Sequence, residues 1–199
     1  MIGLIDYGLG NLKSFSNILK NFNAAFVIPK DDNEIEKCSR YILPGVGSFD
    51  EAVKKLKSKN YFRSLEHEVI KKKKKILGIC VGMQIFLRNS EEGDFPGLGW
   101  VNGLVKKFPI NNLRVPHIGW NKIKIQKRNE LLNNLEDPEF YFLHSYYCSM
   151  EDSKEIVAVT NYSQDFCSCY VSENIFGIQF HPEKSHDNGI KLLKNFINL

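Results

Sequence analysis

Cys80 lies in a short segment whose pattern suits a nucleophile. The sequence Gly78-Ile79-Cys80-Val81-Gly82 joins an apolar run at 76–79 to a stretch with helical spacing. In a G-x-nucleophile-x-G pattern a strained turn exposes the central side chain, and the glycines leave room for neighbouring backbone. The start of a helix favours the thiolate, and the amide of Val81 can point at a developing oxyanion. A buried structural cysteine is the alternative for this segment taken alone.

His181 and Glu183 are the acid–base groups that a thiol nucleophile requires. His181 follows an apolar strand predicted at 175–180, and a rigid proline separates it from Glu183. A base takes the thiol proton and returns it to the leaving amine, while a carboxylate fixes the tautomer of that base. A histidine with a surface or core role is the alternative. No carboxylate stands at comparable spacing from the other histidines, which are His67, His117, His144 and His186.

A second glycine-rich turn, Pro44-Gly45-Val46-Gly47, follows the predicted strand at 41–43. Two glycines permit backbone conformations that turn amide groups toward a ligand. An amide near Val46 or Gly47, with that of Val81, would form an oxyanion hole, and the alternative is an ordinary turn before a helix. Ser48 is predicted to cap that helix, with Glu51 as its capping-box partner.

The elements that must position these residues alternate in the first half of the chain. Strands are predicted at 2–6, 24–28, 41–43 and 76–79, with helical patterns at 12–22 and from Ser48 to about Lys71. This alternation predicts an α/β fold with a central, largely parallel sheet between helices, whose ligands bind beyond the carboxyl ends of the strands. The second half predicts a mixed or antiparallel region and a final helix at 188–197. Its strands are expected at 101–108, 121–126, 140–147, 155–160, 167–172 and 175–180.

Composition limits the classes of protein that fit. The 199 residues are 43% hydrophobic and 25% charged, which suits a single globular domain over 1–199. No apolar run is long enough to cross a membrane, and Asp6 interrupts any signal peptide, so we expect a cytoplasmic protein. The charge is +4, but the Lys71–Lys75 run has no interleaved aromatic residues and predicts a solvated helix end rather than a nucleic-acid site.

Five cysteines without a secretion signal argue against a disulfide framework. Cys167 and Cys169 stand in an alternating strand pattern and have no second pair at zinc-like spacing, so we interpret them as strand residues. The sequence therefore predicts neither a metal nor an organic cofactor.

Taken together, these segments resemble the class I, triad-type glutamine amidotransferases. The elbow Gly-Ile-Cys-Val-Gly-Met-Gln and the His-Pro-Glu triplet about a hundred residues later match in the order of that family. The likeness narrows to the glutaminase subunit of imidazole glycerol phosphate synthase and runs from Met1 to the last helix. The matching segments are 6–12, 44–49, 116–121, 141–147 and 181–185.

The resemblance implies a three-layer fold and a mechanism. Cys80 would attack the carboxamide of L-glutamine, and ammonia would pass through a channel to a cyclase (β/α)8-barrel subunit in a heterodimer of histidine biosynthesis. The peptide between Val46 and Gly47 would rest with an amide turned away until the partner binds. Substrate-binding positions would be Gly45, Gln84, Glu92, His144, Ser145 and Tyr146. Partner contacts would be Asn11, His117, Ile118, Trp120 and Lys184.

Two departures from the family pattern leave room for a different function. Trp100 stands where many relatives carry a smaller aliphatic residue, and Val81 replaces a more usual leucine. A paralogue that supplies ammonia for amidination of surface sugars would keep the same chemistry. A stand-alone cysteine hydrolase, or a non-catalytic redox or chaperone-like domain of related fold, would also keep the elbow cysteine.

Overall fold

The carboxyl ends of the parallel strands carry the Cys80 elbow, the Pro44–Gly47 turn and His181. The structure is a computed structural model that describes residues 1–109 and 114–199. The first half alternates as the sequence predicts, with a single π-helical turn, His67–Lys71, before the fourth strand. Its strands are β1 Ile2–Leu4, β2 Phe26–Val27, β3 Arg40–Gly45 and β4 Lys75–Cys80. Its helices are α1 Leu12–Asn21, α2 Asp32–Lys37, α3 Phe49–Lys57, α4 Phe62–Glu66 and α5 Val81–Gln84.

The second half supplies antiparallel strands and the closing helix α6, His186–Asn198. The predicted strand at 140–147 is two strands that meet at Ser145, because each half pairs with a different neighbour. The strands are β5 Asn89–Ser90, β6 Gly103–Lys107, β7 His117–Lys122, β8 Lys124–Ile125, β9 Glu139–His144, β10 Tyr146–Met150, β11 Ile156–Tyr162, β12 Gln164–Ser172 and β13 Ile175–Ile178.

One large mixed sheet organises the described part of the chain. Its order is β2-β1-β3-β4-β13-β12-β10-β6-β5, with β11 beside β12 and β8 beside β11, while β7 and β9 form a separate ribbon. The pairs from β2 to β13 are parallel, and the next three are antiparallel. The central, largely parallel sheet with antiparallel strands in the second half is therefore confirmed.

Strand β13 brings the two halves of the chain together. It lies parallel to β4, with Ile178 opposite Ile79, so the chain leaves both strands at the same edge of the sheet. On the other side of β4, Gly45 at the end of β3 lies opposite Cys80. Both faces of β4 are buried, as its continuous apolar run predicts.

The helix that follows the Pro44–Gly47 turn is not capped as predicted. Ser48 occupies the position before α3 but makes no side-chain capping bond, and Glu51 pairs with Lys55 instead. The carboxylate of Glu92 accepts the hydrogen bond of the Phe49 N–H at 2.8 Å. A distant carboxylate thus replaces the local capping box, because the fold brings residue 92 to the start of α3.

The lysine run is only partly solvated. Lys72 and Lys74 both pair with Glu68, whose side chain is buried beneath them in the π-helical turn. Two lysines of a run predicted to be solvated therefore form ion pairs with a buried carboxylate. No helix in the described part of the chain is long and apolar enough to span a bilayer.

Candidate active site

The turn at Cys80 has the strained backbone that the elbow pattern predicts. Cys80 has φ 55° and ψ −115°, a region that side-chain-bearing residues rarely occupy. The glycines permit the close approach around it: a Cβ on Gly82 would lie 2.2 Å from the carbonyl oxygen of Leu43, and one on Gly78 would lie 2.4 Å from the ring of Phe86. The turn presents the Cys80 side chain to a cavity at the edge of the sheet.

His181 lies between Cys80 and Glu183. Its Nδ1 is 2.9 Å from Oε1 of Glu183, and each of these two side chains is 3% exposed. Burial lowers the pKa of His181, but the neighbouring Cys80 and the hydrogen-bonded Glu183 outweigh it and raise the pKa to about 10. The Glu183 carboxylate therefore orients the imidazole and stabilises its protonated form, in the cavity that Cys80 also lines.

A cavity of about 260 Å³ brings most of the predicted site residues together. Glu183 lies behind His181, outside the lining. Gly45 is also absent from it, because it is packed under the Gly82 amide and the Tyr7 hydroxyl. The lining consists of Val46, Gly47, Cys80, Val81, Gln84, Glu92, Pro116, Leu143, His144, Ser145, Tyr146 and His181.

The predicted oxyanion segment borders the same cavity as His181. Gly47 has φ 96°, which an L side chain rarely adopts, and only the tip of Glu51 lies near its missing Cβ. Burial raises the pKa of the Glu92 carboxyl in the cavity wall, against the lowering effect of its bond to Phe49. The wall thus combines a glycine in the left-handed region of backbone conformation with a partly buried carboxyl group.

Comparison with known proteins assigns the chain to one family. The family described as glutamine amidotransferase class-I matches residues 3–199. The chain belongs to the class-I glutamine amidotransferase family. It is 50% identical to the imidazole glycerol phosphate synthase subunit HisH of Leptospira borgpetersenii, over 100% of both chains. It is 44% identical to subunit HisH 2 of Methanococcus maripaludis, over 99% of this chain and 98% of the relative.

Solved structures agree on the class-I amidotransferase fold. A crystal structure of a glutamine amidotransferase superposes with a TM-score of 0.73 at 16% identity, over 100% of this chain and 99% of the other. A glutamine amidotransferase of Thermotoga maritima gives a TM-score of 0.65 at 20% identity, over 99% and 80%. The three-layer fold is retained at an identity too low for sequence comparison alone to establish it.

The residues predicted to contact a partner are only partly exposed. Ile118 is 58% exposed and Trp120 43%, and they share one face of β7 because alternate strand residues point the same way. Trp120 stacks on His186 and contacts the edge of the Tyr141 ring. The exposed Lys184 ammonium lies 5.5 Å from the centroid of the Tyr141 ring. The side chain of Asn11 is occupied in capping α1.

His117 is buried, unlike the exposed residues predicted to contact a partner. Its side chain faces the other side of β7 and is 3% exposed, so it is not presented at the surface beside Ile118 and Trp120. The period of two in the sequence 117–121 could have shown that His117 and Ile118 face opposite ways.

Three site residues were missed from the sequence. Leu143 is exposed, borders the cavity and lies opposite Ile118 in the β7–β9 ribbon. Pro116 also lines the cavity, and the Gln179 amide nitrogen lies 3.7 Å from the Cys80 sulfur. Gln179 lies between two apolar residues just before His181, and this pattern could have predicted a buried polar side chain. Among the residues described, no group of three or more His, Cys, Asp or Glu side chains has metal-binding geometry.

Proposed function

We propose that the chain is a glutaminase subunit that hydrolyses L-glutamine to glutamate and ammonia through a thioester on Cys80. The cavity that joins Cys80 to His181, with Glu183 hydrogen-bonded behind the imidazole, is the observation that supports the proposal most strongly. A nucleophile, a base and an orienting carboxylate are the groups that acyl transfer from an amide requires.

The chemistry proceeds in two steps. The Cys80 thiolate attacks the carboxamide carbon, and the imidazolium of His181 gives its proton to the amine, which leaves as ammonia. His181 then takes a proton from water, whose oxygen attacks the thioester carbon and releases glutamate and the thiolate. Glu183 holds the imidazole by its Nδ1–H throughout, which leaves Nε2 for the transfers.

The two faces of the cavity have separate roles in this proposal. The amide of Val81 and one between Val46 and Gly47 stabilise the oxyanion, a contribution of roughly 10²–10³ in rate for each donor. The free Oε1 of Gln84, the carboxyl of Glu92 and the bend at His144, Ser145 and Tyr146 bind the glutamine main chain and its side-chain amide. Gly45 contributes indirectly, by letting its strand approach the elbow.

The ammonia goes to a synthase partner. The relatives that are 44–50% identical over nearly the whole chain are named as subunits of imidazole glycerol phosphate synthase. We therefore assign this chain to histidine biosynthesis in the cytoplasm, as one domain over 1–199 in a heterodimer with a cyclase (β/α)8 barrel that receives ammonia through a channel. The exposed residues beside the cavity form the docking face, with Ile118, Trp120, Leu143, Lys184 and the loop at Asn11.

The test uses the complex of both subunits. Cys80→Ala is expected to abolish glutamine-driven product formation while added ammonium salts still support it. Cys38→Ser is a matched control, because its sulfur only donates to the Glu34 carbonyl and a hydroxyl can do the same. Glutamine-driven turnover that persists in Cys80→Ala would contradict the nucleophile assignment.

The pathway is tested in a histidine auxotroph that lacks its own glutaminase subunit. Expression of the chain with its cognate cyclase should restore growth without histidine. Failure to restore growth by an active glutaminase would instead favour a paralogue that supplies ammonia to another acceptor, such as a surface sugar.

A further inference from the structure

A continuous series of hydrogen bonds joins β7 to the sulfur of Cys80. We call it the Asn121–Cys80 network. It is largely buried, and both glutamine side chains in it are shielded from solvent. In order its members are Asn121, His117, His144, the carbonyl of Tyr146, Gln84, Gln179 and Cys80, joined at 3.2, 3.0, 2.8, 3.1, 3.0 and 3.7 Å.

The direction of the histidine bonds follows from the Tyr146 carbonyl, which can only accept. His144 must therefore carry its proton on Nδ1, which leaves its Nε2 as the acceptor for the Nδ1–H of His117. The Nε2 of His117 then accepts from the amide of Asn121, whose oxygen is fixed by the Lys122 N–H at 2.8 Å. Each ring is thus a single neutral tautomer, consistent with burial, which lowers the pKa of His117 to about 4 and that of His144 to about 3.

The same carbonyl sets the direction of the glutamine bonds. The amide nitrogen of Gln84 donates to Tyr146 at 3.1 Å and to Oε1 of Gln179 at 3.0 Å. With its oxygen held by Gln84, Gln179 can present only its Nε2–H to the sulfur of Cys80. A flipped Gln179 would place an oxygen against the thiolate and repel it.

We propose that Gln179 is a further catalytic residue whose amide N–H stabilises the Cys80 thiolate, and that His117 is a positioning residue that fixes the orientation of this amide through the Asn121–Cys80 network. The proposal rests on the proposed function, because it concerns the same site and gives a buried polar residue of that site a role. A hydrogen bond to the charged form of a group favours that form. His117 acts through position, since its Nδ1–H holds His144 and the Nδ1–H of His144 holds the Tyr146 carbonyl that accepts from Gln84.

The other titratable groups around the sulfur are few among the residues described. His181 forms the acid–base pair with Cys80, and the charge of the sulfur also acts on the buried hydroxyl of Tyr7 and the buried thiol of Cys148. Replacement of Gln179 removes none of these three groups. A change in the pH dependence of Cys80 therefore reports the loss of the amide donor.

The first experiment measures the rate of Cys80 alkylation by iodoacetamide against pH, by mass spectrometry of the Cys80 peptide in the full chain. The midpoint of the curve of alkylation rate against pH is the quantity compared. Gln179→Met removes the donor without adding charge, so this midpoint should move up by roughly one pH unit. Gln179→Glu is nearly isosteric and places a carboxylate against the sulfur, so its midpoint should move further in the same direction. Midpoints equal to wild type in the folded variants would overturn the role of Gln179.

The second experiment compares two replacements of His117. His117→Asn places an amide nitrogen where Nδ1 donates, whereas His117→Leu leaves the Nε2 of His144 without its donor. The Leu variant should raise the pH midpoint of Cys80 alkylation and shift the ¹⁵N resonance of His144 Nε2, which loses its hydrogen-bond donor. The Asn variant should restore both values. If the Leu and Asn variants match each other in both measurements, His117 does not orient Gln179.

Alkylation requires no glutamine turnover, so the proposed function and the role of the Asn121–Cys80 network can be refuted independently. A wild-type complex that does not hydrolyse glutamine would refute the proposed function and leave the midpoint comparison valid. Normal glutaminase activity with unmoved midpoints would refute only the role of the network.

Discussion

Gly82→Ala tests whether the close approach of β3 to the elbow positions the oxyanion donors. The new Cβ would lie 2.2 Å from the Leu43 carbonyl oxygen, where real contacts are essentially never under 3.0 Å, so the backbone must move by at least 3.0 − 2.2 = 0.8 Å. Overpacking of this kind costs about 1–3 kcal/mol. For a chain of this size that corresponds to a fall in Tm of roughly 2–12 °C.

The same displacement affects catalysis more than stability. The amide next to Gly82 belongs to Val81, and a shift near 1 Å in a positioned group can cost about 10² in rate. We expect kcat for glutamine to fall by about that factor in the complex, since the affected contact forms only in the transition state.

Circular dichroism melting and a coupled glutamate assay measure the two effects. Gly99→Ala is the matched control: Gly99 also has a positive φ, 66°, but no atom lies within 4 Å of its missing Cβ. The control should lower Tm by a few degrees through backbone strain of about 1 kcal/mol and leave kcat unchanged. An unaltered kcat in Gly82→Ala would refute the argument that this approach sets the donor geometry.

Three further predictions concern the triad, a buried ion pair and the docking face. His181→Ala should lower kcat by about 10²–10⁴, and Glu183→Gln by less, since an orienting group is secondary to the base; a Glu183→Gln rate equal to wild type would exclude it from the triad. Glu68→Gln should destabilise the chain at pH 7 by roughly 1–3 kcal/mol in urea unfolding, because the amide accepts more weakly from Lys72 and Lys74. Burial alone would raise the pKa of Glu68, but Lys72 and Lys74 lower it overall. The difference in unfolding free energy between wild type and Glu68→Gln should therefore vanish as pH falls through that lowered pKa. A difference that does not depend on pH would contradict this. Trp120→Ala should weaken binding of the cyclase at least about tenfold in calorimetry, with a fall in Tm of only a few degrees from the lost stacking on His186. Unaltered affinity would remove Trp120 from the interface.

Local patterns predicted the elements that carry the chemistry because each depends on neighbouring residues. The apolar run before Cys80 and the glycines around it fix a buried strand and a tight turn, and both appear as expected. The His-Pro-Glu triplet likewise needs only a strand end and a proline to direct its two side chains. The parallel order of the first strands follows from their alternation with helices.

Features that depend on distant partners could not be predicted in the same way. The cap of α3 comes from Glu92, and the buried Glu68 is compensated by two lysines of a run that looks solvated. His117 reads as an interface residue by its position in a motif, whereas its pairing with His144 across the β7–β9 ribbon buries it. The role of Gln179 requires the register of β13 against β4, which periodicity does not reveal.

The most direct test of the central claim is to trap the covalent intermediate. The complex is mixed with ¹³C-labelled glutamine, quenched in acid during turnover and digested, and the peptide that contains Cys80 is analysed by mass spectrometry. We predict a labelled glutamyl thioester on that sulfur, which disappears on treatment with hydroxylamine and never forms in Cys80→Ala. Rapid hydrolysis of glutamine with no label on Cys80, and equal turnover by Cys80→Ala, would contradict the account.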